Sequence, residues 1–162
     1  MTTDRKHQDE RQFAKLVNEQ KSTIYTVCYM FSNDEDEVAD LFEDVLINLW
    51  KGFSSFEGRS DLRTWVYRLS LNTCISADRK KRKRKTVPLS MDINLFEDND
   101  ADTLQVQMLR KRIMRLAPFD RAIVLLWLEN MSYEEIGQVV GITAKNVSVR
   151  LYRIKEQLKK LQ

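Results

Sequence analysis

The sequence predicts an all-α protein with two small helical domains joined by a flexible acidic linker. Its 162 residues include only four glycines and two prolines, so residues that interrupt helices are scarce. Hydrophobic residues make up 43% of the chain, which is enough for a buried core. Several stretches repeat apolar residues at helical spacing, and the acidic segment between them does not.

The first domain is predicted over residues 8–86. Its elements are a helix over residues 12–31, a helix over residues 35–51, a loop over residues 52–60, and a helix that begins after Ser60 and continues into the seven basic residues at 79–85. Residues 87–103 are the predicted linker, because they are acidic and carry only scattered apolar side chains.

The second domain is predicted over residues 104–162. Its helices are expected at residues 104–116, 119–130 after Pro118, 133–140 after a capping box of Ser132 and Glu135, and 144–161 after the cap Thr143. Gly141 suits the left-handed C-cap that would end the short third helix.

Charge is distributed unevenly along the chain. The first 85 residues carry 16 basic and 14 acidic side chains, residues 86–103 carry five acids and no base, and residues 104–162 carry 11 bases and five acids. Two modules that each face DNA, with an acidic linker between them, would have this pattern.

Several classes of protein are disfavoured. No apolar run is long enough to span a membrane, and the polar N-terminus lacks a secretory signal, so we expect a cytoplasmic protein with no membrane insertion. Cys28 and Cys74 are expected to be buried, reduced thiols. Because His7 is the one histidine and no nucleophile, phosphate-binding loop or metal-ligand cluster stands out, we expect no enzyme activity, cofactor or metal.

The most specific signal is a helix-turn-helix over residues 132–155. A short helix, a tight turn and a longer basic helix would present the start of the last helix to a major groove. The alternative, a helical hairpin that only packs, explains neither the two caps nor the basic charge. The candidate contacts are Thr143, Lys145, Asn146, Ser148, Val149, Arg150, Tyr152 and Arg153.

Two further surfaces are candidates. Aromatic and basic residues over 53–85 suit stacking on single-stranded bases, with Phe56 and Arg59 favoured for contact and Trp65 favoured as core by its helical phase. The predicted second helix carries a polar face of Asp40, Glu43, Asp44 and Asn48. A basic protein partner and an ordinary solvated face explain this surface equally well.

Together these segments resemble the extracytoplasmic-function (ECF) sigma factors of the sigma-70 superfamily. The resemblance is carried by EVADLFEDV at residues 37–45 with Leu49 and Trp50, by FEGRSDLRTWVYR at 56–68 with Asn72, and by LAP at 116–118, YEEIG at 133–137, VGI at 140–142 and VSVRL at 147–151. It implies a region 2-like domain at residues 8–86 and a region 4-like domain at 104–162.

The resemblance also implies partners and roles. The acidic face would bind the β′ clamp coiled coil of core RNA polymerase, with the β flap as a second polymerase contact, and an anti-sigma factor would hold the chain inactive. The last helix would recognise the −35 element of promoter DNA. The residues implied for the −10 element, including a pocket for a flipped base, are Phe56, Arg59, Ser60, Arg63, Arg68, Asn72 and Arg79.

The chain departs from the family pattern at three places. Glu43 stands where glutamine is usual, and Gly137 replaces a usual alanine, which should loosen its helix slightly. Lys145 and Asn146 replace a common Gly-Thr pair, so the −35 preference of relatives does not transfer. The main alternative is a helix-turn-helix regulator that binds duplex DNA without joining polymerase. A third possible class is a helical adaptor that binds only protein. Such an adaptor would keep its activity after loss of Arg150 and Arg153.

Overall fold

The computed structural model describes residues 2–56, 61–84 and 101–160, and all secondary structure within these ranges is helical, which confirms the all-α fold. The helices are α1 (Thr2–Tyr29), α2 (Glu35–Phe56), α3 (Leu62–Arg84), α4 (Ala101–Met114), α5 (Pro118–Leu128), α6 (Tyr133–Val140) and α7 (Ala144–Lys160). Within the described ranges, none of these helices combines the length and apolar character needed to cross a membrane.

Helices α1, α2 and α3 pack against one another through the apolar stripes that the sequence indicated. The stripe of α2 is buried at Val38, Leu41, Val45 and Leu49. Cys28 of α1 and Cys74 of α3 are both buried, as predicted, with 3.9 Å between their Sγ atoms. A hydrogen bond with Cys28 and burial raise the pKa of the Cys74 thiol, so it stays protonated.

Two boundaries in this part of the chain were predicted wrongly. α1 begins at Thr2, ten residues earlier than the apolar pattern indicated, because the charged N-terminal segment continues the helix as an exposed extension. α2 continues to Phe56, although residues 52–60 were predicted as a loop. Phe53 packs edge-on against Phe13, with 5.5 Å between ring centroids, so aromatic packing extends the helix by more than one turn.

Helices α4 to α7 form the second group. α4 begins at Ala101, so the last three residues assigned to the linker are helical, while most of that segment lies outside the described residues. Pro118 lies in the first turn of α5, as predicted. α5 ends near Asn130, whose φ of 63° is left-handed and turns the chain towards α6.

The two groups of helices contact each other directly. α3 packs against α5 and α6, and buried apolar residues of both groups form one continuous cluster. The sequence predicted two units joined by a flexible linker, and no pattern in it indicated this contact. The contact of α3 with α5 and α6 determines which side chains of α3 remain exposed.

Candidate polymerase and nucleic-acid interface

The helix-turn-helix begins at the predicted capping box. The Ser132 Oγ accepts a hydrogen bond from the backbone N–H of Glu135 at 3.1 Å. The Glu135 carboxylate in turn accepts one from the backbone N–H of Ser132, also at 3.1 Å. Hydrogen bonds to the Glu135 carboxylate, first from the backbone N–H of Ser132 and then from its side chain, lower the pKa of the Glu135 carboxyl. The box therefore fixes where α6 begins.

The turn between α6 and α7 depends on two glycines. Gly141 has a φ of 83°, the left-handed C-cap that the sequence indicated. A Cβ on Gly137 would lie 2.4 Å from the backbone oxygen of Ile142, far inside van der Waals contact. The prediction that Gly137 merely loosens α6 was therefore wrong. In this chain, the turn needs a residue without a side chain there.

The outer face of α7 is open to solvent. The Thr143 Oγ1 accepts a hydrogen bond from the backbone N–H of Asn146 at 3.2 Å, so Thr143 caps the helix as predicted. Val147, Leu151 and Ile154 are buried on its inner side. The exposed side chains are the predicted contacts Thr143, Lys145, Asn146, Ser148, Val149, Arg150, Tyr152 and Arg153, with Tyr152 69% exposed.

Arg150 differs from the other side chains of that face. Its Nη1 lies 3.1 Å from the Asp120 Oδ1, and its guanidinium stacks 4.6 Å from the ring centroid of Phe119. Both partners belong to α5. Arg150 thus joins α7 to α5, while the rest of the face makes no such contact in the described residues.

Three of the four predicted polymerase-binding residues lie together on the exposed side of α2. Asp40, Glu43 and Asp44 are exposed. Asn48 instead points to α3, where its Nδ2 donates to the Thr73 Oγ1 at 2.9 Å. The structure adds an apolar neighbour that the sequence analysis missed, because Ile47 is 51% exposed one helical turn from Glu43. Its position outside the apolar stripe of α2 was the available signal.

The predicted −10 residues fall into four groups. Arg59 and Ser60 lie outside the described residues, and Asn72 and Arg79 are exposed on α3. Phe56 ends α2 and packs on Trp65, with 4.6 Å between ring centroids, which agrees with a core role for Trp65. The remaining two are Arg63 and Arg68, which reach the second group of helices.

Two buried or half-buried arginines were missed by the sequence analysis, which counted them only as basic charge. Arg110 donates to the carbonyl oxygens of Tyr29 and Ser32. Arg121 is only 3% exposed and donates to the carbonyls of Met114 and Leu116. The position of Arg121 within the apolar run of α5 was a signal that it is structural.

Comparisons with known proteins agree with this architecture. The family model "Sigma-70 region 2" matches residues 16–84, and "Sigma-70, region 4" matches residues 106–158. Among similar proteins is the ECF RNA polymerase sigma factor SigW of Bacillus subtilis, 27% identical over 94% of this chain and 89% of that protein. The RNA polymerase sigma-H factor of Pseudomonas aeruginosa is also 27% identical, over 94% and 86%.

Solved structures share the fold. RpoE from Bartonella quintana, crystallised with the anti-sigma factor NepR, aligns with a TM-score of 0.73 at 22% identity over 93% of this chain and 96% of that chain. CnrH, in complex with the cytosolic domain of CnrY, aligns with a TM-score of 0.69 at 22% identity over 94% and 88%. The chain therefore belongs to the sigma-70 family as an ECF sigma factor, and its function is that of an alternative RNA polymerase sigma factor.

Proposed function

We propose that α2 docks the chain on core RNA polymerase while α7 and α3 contact the −35 and −10 elements of a promoter. One observation supports this division of labour most directly. A single chain presents an exposed acidic face on α2 and an exposed polar and basic face on α7. DNA phosphates repel the acidic face of α2 and attract the basic face of α7. The two faces therefore suit different partners, a protein on α2 and DNA on α7.

The −35 contact is supported by how α7 is presented. The capped turn fixes the start of α7, and the buried side of that helix anchors it on α5 and α6. Asn146 and Arg153 are exposed and carry side chains that form bidentate hydrogen bonds with base edges, while Val149 and Tyr152 offer apolar contact to thymine methyl groups. Arg150 acts as a positioning residue through Asp120.

The polymerase contact is supported by charge and shape. Asp40, Glu43 and Asp44 lie on one face of α2, and Ile47 adds an exposed apolar surface beside them. A basic coiled coil, such as the β′ clamp that the family resemblance implies, matches this combination. Asn48 then acts indirectly, by tying α2 to Thr73 of α3.

The finer assignments follow from the family. Residues 8–86 and 104–162 act as the two promoter-binding domains, the β flap is a second polymerase contact, and the chain acts in the cytoplasm as a transcription initiation factor without catalysis of its own. An anti-sigma protein as regulator is supported by the likeness to RpoE, whose solved structure contains the anti-sigma factor NepR.

Transcription with purified core polymerase over a promoter library tests the proposal. The wild-type chain should direct initiation at a defined set of start sites, and these should share one −35 and one −10 sequence. Asp40→Arg with Asp44→Arg should abolish co-purification with core polymerase and leave the helical content unchanged.

The matched control is Glu10→Arg with Glu19→Arg, which reverses two exposed acids on α1 and changes the net charge equally. Retained polymerase binding by the α2 variant, or equal loss in the control, would remove the docking role of this face. Binding to duplex DNA with no start site at any promoter would favour the helix-turn-helix regulator instead.

A further inference from the structure

A groove lies between the N-terminal part of α1 and the C-terminal part of α2. Its volume of about 440 Å³ falls within the range of small-molecule pockets. It is lined from α1 by Arg5, Lys6 and Asp9, and from α2 by Trp50, Lys51, Phe53 and Ser54. The α1 residues precede residues 16–84, which the region 2 family model matches, so one wall of this groove lies outside the shared family pattern.

The floor of the groove is aromatic. Trp50 packs edge-on against Phe13, with 5.0 Å between ring centroids, and Phe53 packs on the same Phe13 ring at 5.5 Å. Although the contact with Phe13 holds Trp50 in place, Trp50 is 42% exposed. A large aromatic ring that is already fixed can stack with a flat ligand at little cost in conformational entropy. Trp50 therefore offers a preformed stacking surface.

The rim of the groove is cationic. Arg5 and Lys6 on one side and Lys51 on the other are all exposed. Among the described residues, none of these three cations is paired with a carboxylate or donates a side-chain hydrogen bond. Asp9, which is half-buried, is the acid among the lining residues. Three cations against one carboxylate give a rim that attracts anions.

The arrangement of charge fits one nucleotide better than a nucleic-acid strand. Sites for single strands carry aromatic rings and cations along a track. Beyond Lys51 on the exposed side of α2 come the uncharged residues Ser54 and Ser55, and before Arg5 on α1 comes the acid Asp4. The cations are therefore gathered around one exposed ring, which suits the base and the phosphates of a single ligand.

We propose that this groove binds a nucleoside polyphosphate whose base stacks on Trp50 and whose phosphates contact the three cations of the rim. Because Asp9 repels phosphate, its carboxylate suits the base, where it accepts a hydrogen bond from an exocyclic amino group such as that of adenine. The Ser54 hydroxyl is a second polar group for the base or the ribose. This ligand goes beyond the proposed contacts with polymerase and promoter DNA, and its test needs neither of them.

Nuclear magnetic resonance of the full chain with adenosine triphosphate tests the site. The chain has three tryptophans, and the variant Trp50→Phe identifies the indole N–H signal of Trp50. We expect this signal to shift saturably, with a dissociation constant at or below about 1 mM, while the signals of Trp65 and Trp127 shift less. Inorganic triphosphate and adenosine should each bind more weakly, because each supplies only one part of the ligand.

The cationic rim is tested on α1. Arg5→Ala with Lys6→Ala should weaken binding of adenosine triphosphate about tenfold, since each exposed charge contact contributes about threefold. Arg11→Ala with Lys15→Ala is the matched control, because helical spacing places these two exposed cations on the opposite side of α1. The control variant should bind as the parent chain does.

The aromatic floor is tested at Trp50. Trp50→Leu should weaken binding about fivefold or more because it removes the stacking surface, whereas Trp50→Phe, which keeps an aromatic ring, should retain most of the affinity. In both variants the backbone amide signal of Ser54 reports binding, and circular dichroism checks that the helices are retained.

Several results would overturn the inference. One is the absence of a saturable shift of the Trp50 signal, and another is equal affinity for adenosine triphosphate and inorganic triphosphate. A single-stranded oligodeoxyadenylate that binds the groove more tightly per nucleotide than adenosine triphosphate would make it a strand site instead. A pentaglutamate peptide of equal affinity would assign the groove to an acidic protein segment. Equal losses in the Arg5–Lys6 and Arg11–Lys15 variants would mean that only net charge matters.

Discussion

The outer face of α7 and the face of α3 that carries Arg63 and Arg68 are both proposed to contact DNA, but they are built differently. The α7 face is set by neighbours in sequence: a capping box, a left-handed glycine and a threonine cap within fifteen residues. The α3 face is set by residues more than sixty positions away, through the carbonyls of Glu129 and Gln138.

This difference separates a preformed surface from a conditional one. Local hydrogen bonds fix the turn before α7, and the inner side of α7 packs on α5 and α6 of the same group, so its outer side chains are presented without help from the first group. Long-range contacts across α3 depend on how the two groups of helices are arranged. The upstream DNA contact proposed for α7 is therefore built from local signals, while the contact proposed for Arg63 and Arg68 depends on how the two groups of helices are arranged.

The largest expected effect is on DNA recognition by the preformed face. Asn146→Ala and Arg153→Ala should each weaken binding to the cognate upstream element by about 1–3 kcal/mol, because each removes a side chain able to bind base edges. Quantitative binding to cognate and random duplexes measures this. Lys159→Ala, an exposed cation at the end of α7, is the control. Equal losses on both duplexes would mean that Asn146 and Arg153 touch only phosphates.

The next effect concerns the turn that presents this face. Gly137→Ala should destabilise the protein by roughly 1–3 kcal/mol, because the new Cβ would overlap the Ile142 backbone oxygen and outweigh the better helix propensity of alanine. Denaturant unfolding measures the change.

Gly52→Ala is the matched control for Gly137→Ala. A Cβ on Gly52 would make its closest contact at 3.4 Å, to the Trp65 side chain, within ordinary van der Waals range. The Gly52→Ala protein should be as stable as the parent or slightly more stable, since alanine has a higher helix propensity than glycine inside α2. Equal stability of the two variants would show that the turn can shift to accept a side chain.

A smaller effect is expected at the start of α6. Ser132→Ala removes the side-chain oxygen that accepts from the Glu135 backbone N–H and should cost about 0.5–2 kcal/mol of unfolding free energy. Ser132→Asp, which can still accept that hydrogen bond, should retain most of the stability. A Ser132→Ala protein as stable as the parent would show that the turn is held by packing alone.

The smallest effect is a pH dependence. The pKa of Glu135 is lowered below its usual 4.5 by its hydrogen bonds with Ser132, so its ionised form stabilises the fold above that pH. This contribution should disappear as the pH falls through the lowered pKa. Urea midpoints measured from pH 7 down into that range should fall less steeply for Glu135→Gln than for the parent. Glu134→Gln is the control, and the same slope in all three proteins would contradict the expectation.

Much of the fold could be predicted from the sequence. The helices, the capping box, the Gly141 C-cap and the Thr143 cap depend on nearby residues, and all were found in the structure. The errors lie where packing between helices overrides local signals: α2 continues through Gly52 because aromatic rings pack beyond it. Gly137 was misjudged because its constraint is the carbonyl of a residue across the turn, which no spacing rule shows.

The sequence by itself determined the helical content, the helix-turn-helix and the exposed acidic face, because hydrophobic periodicity and capping act within a few residues of the chain. Only the tertiary structure decided that Asn48 points to Thr73, that Arg150 pairs with Asp120, and that Arg63 and Arg68 donate to backbone carbonyls of the second group of helices. The physical reason is the length of these polar side chains. A long polar side chain has many partners within its range, and which one it meets depends on how distant helices pack.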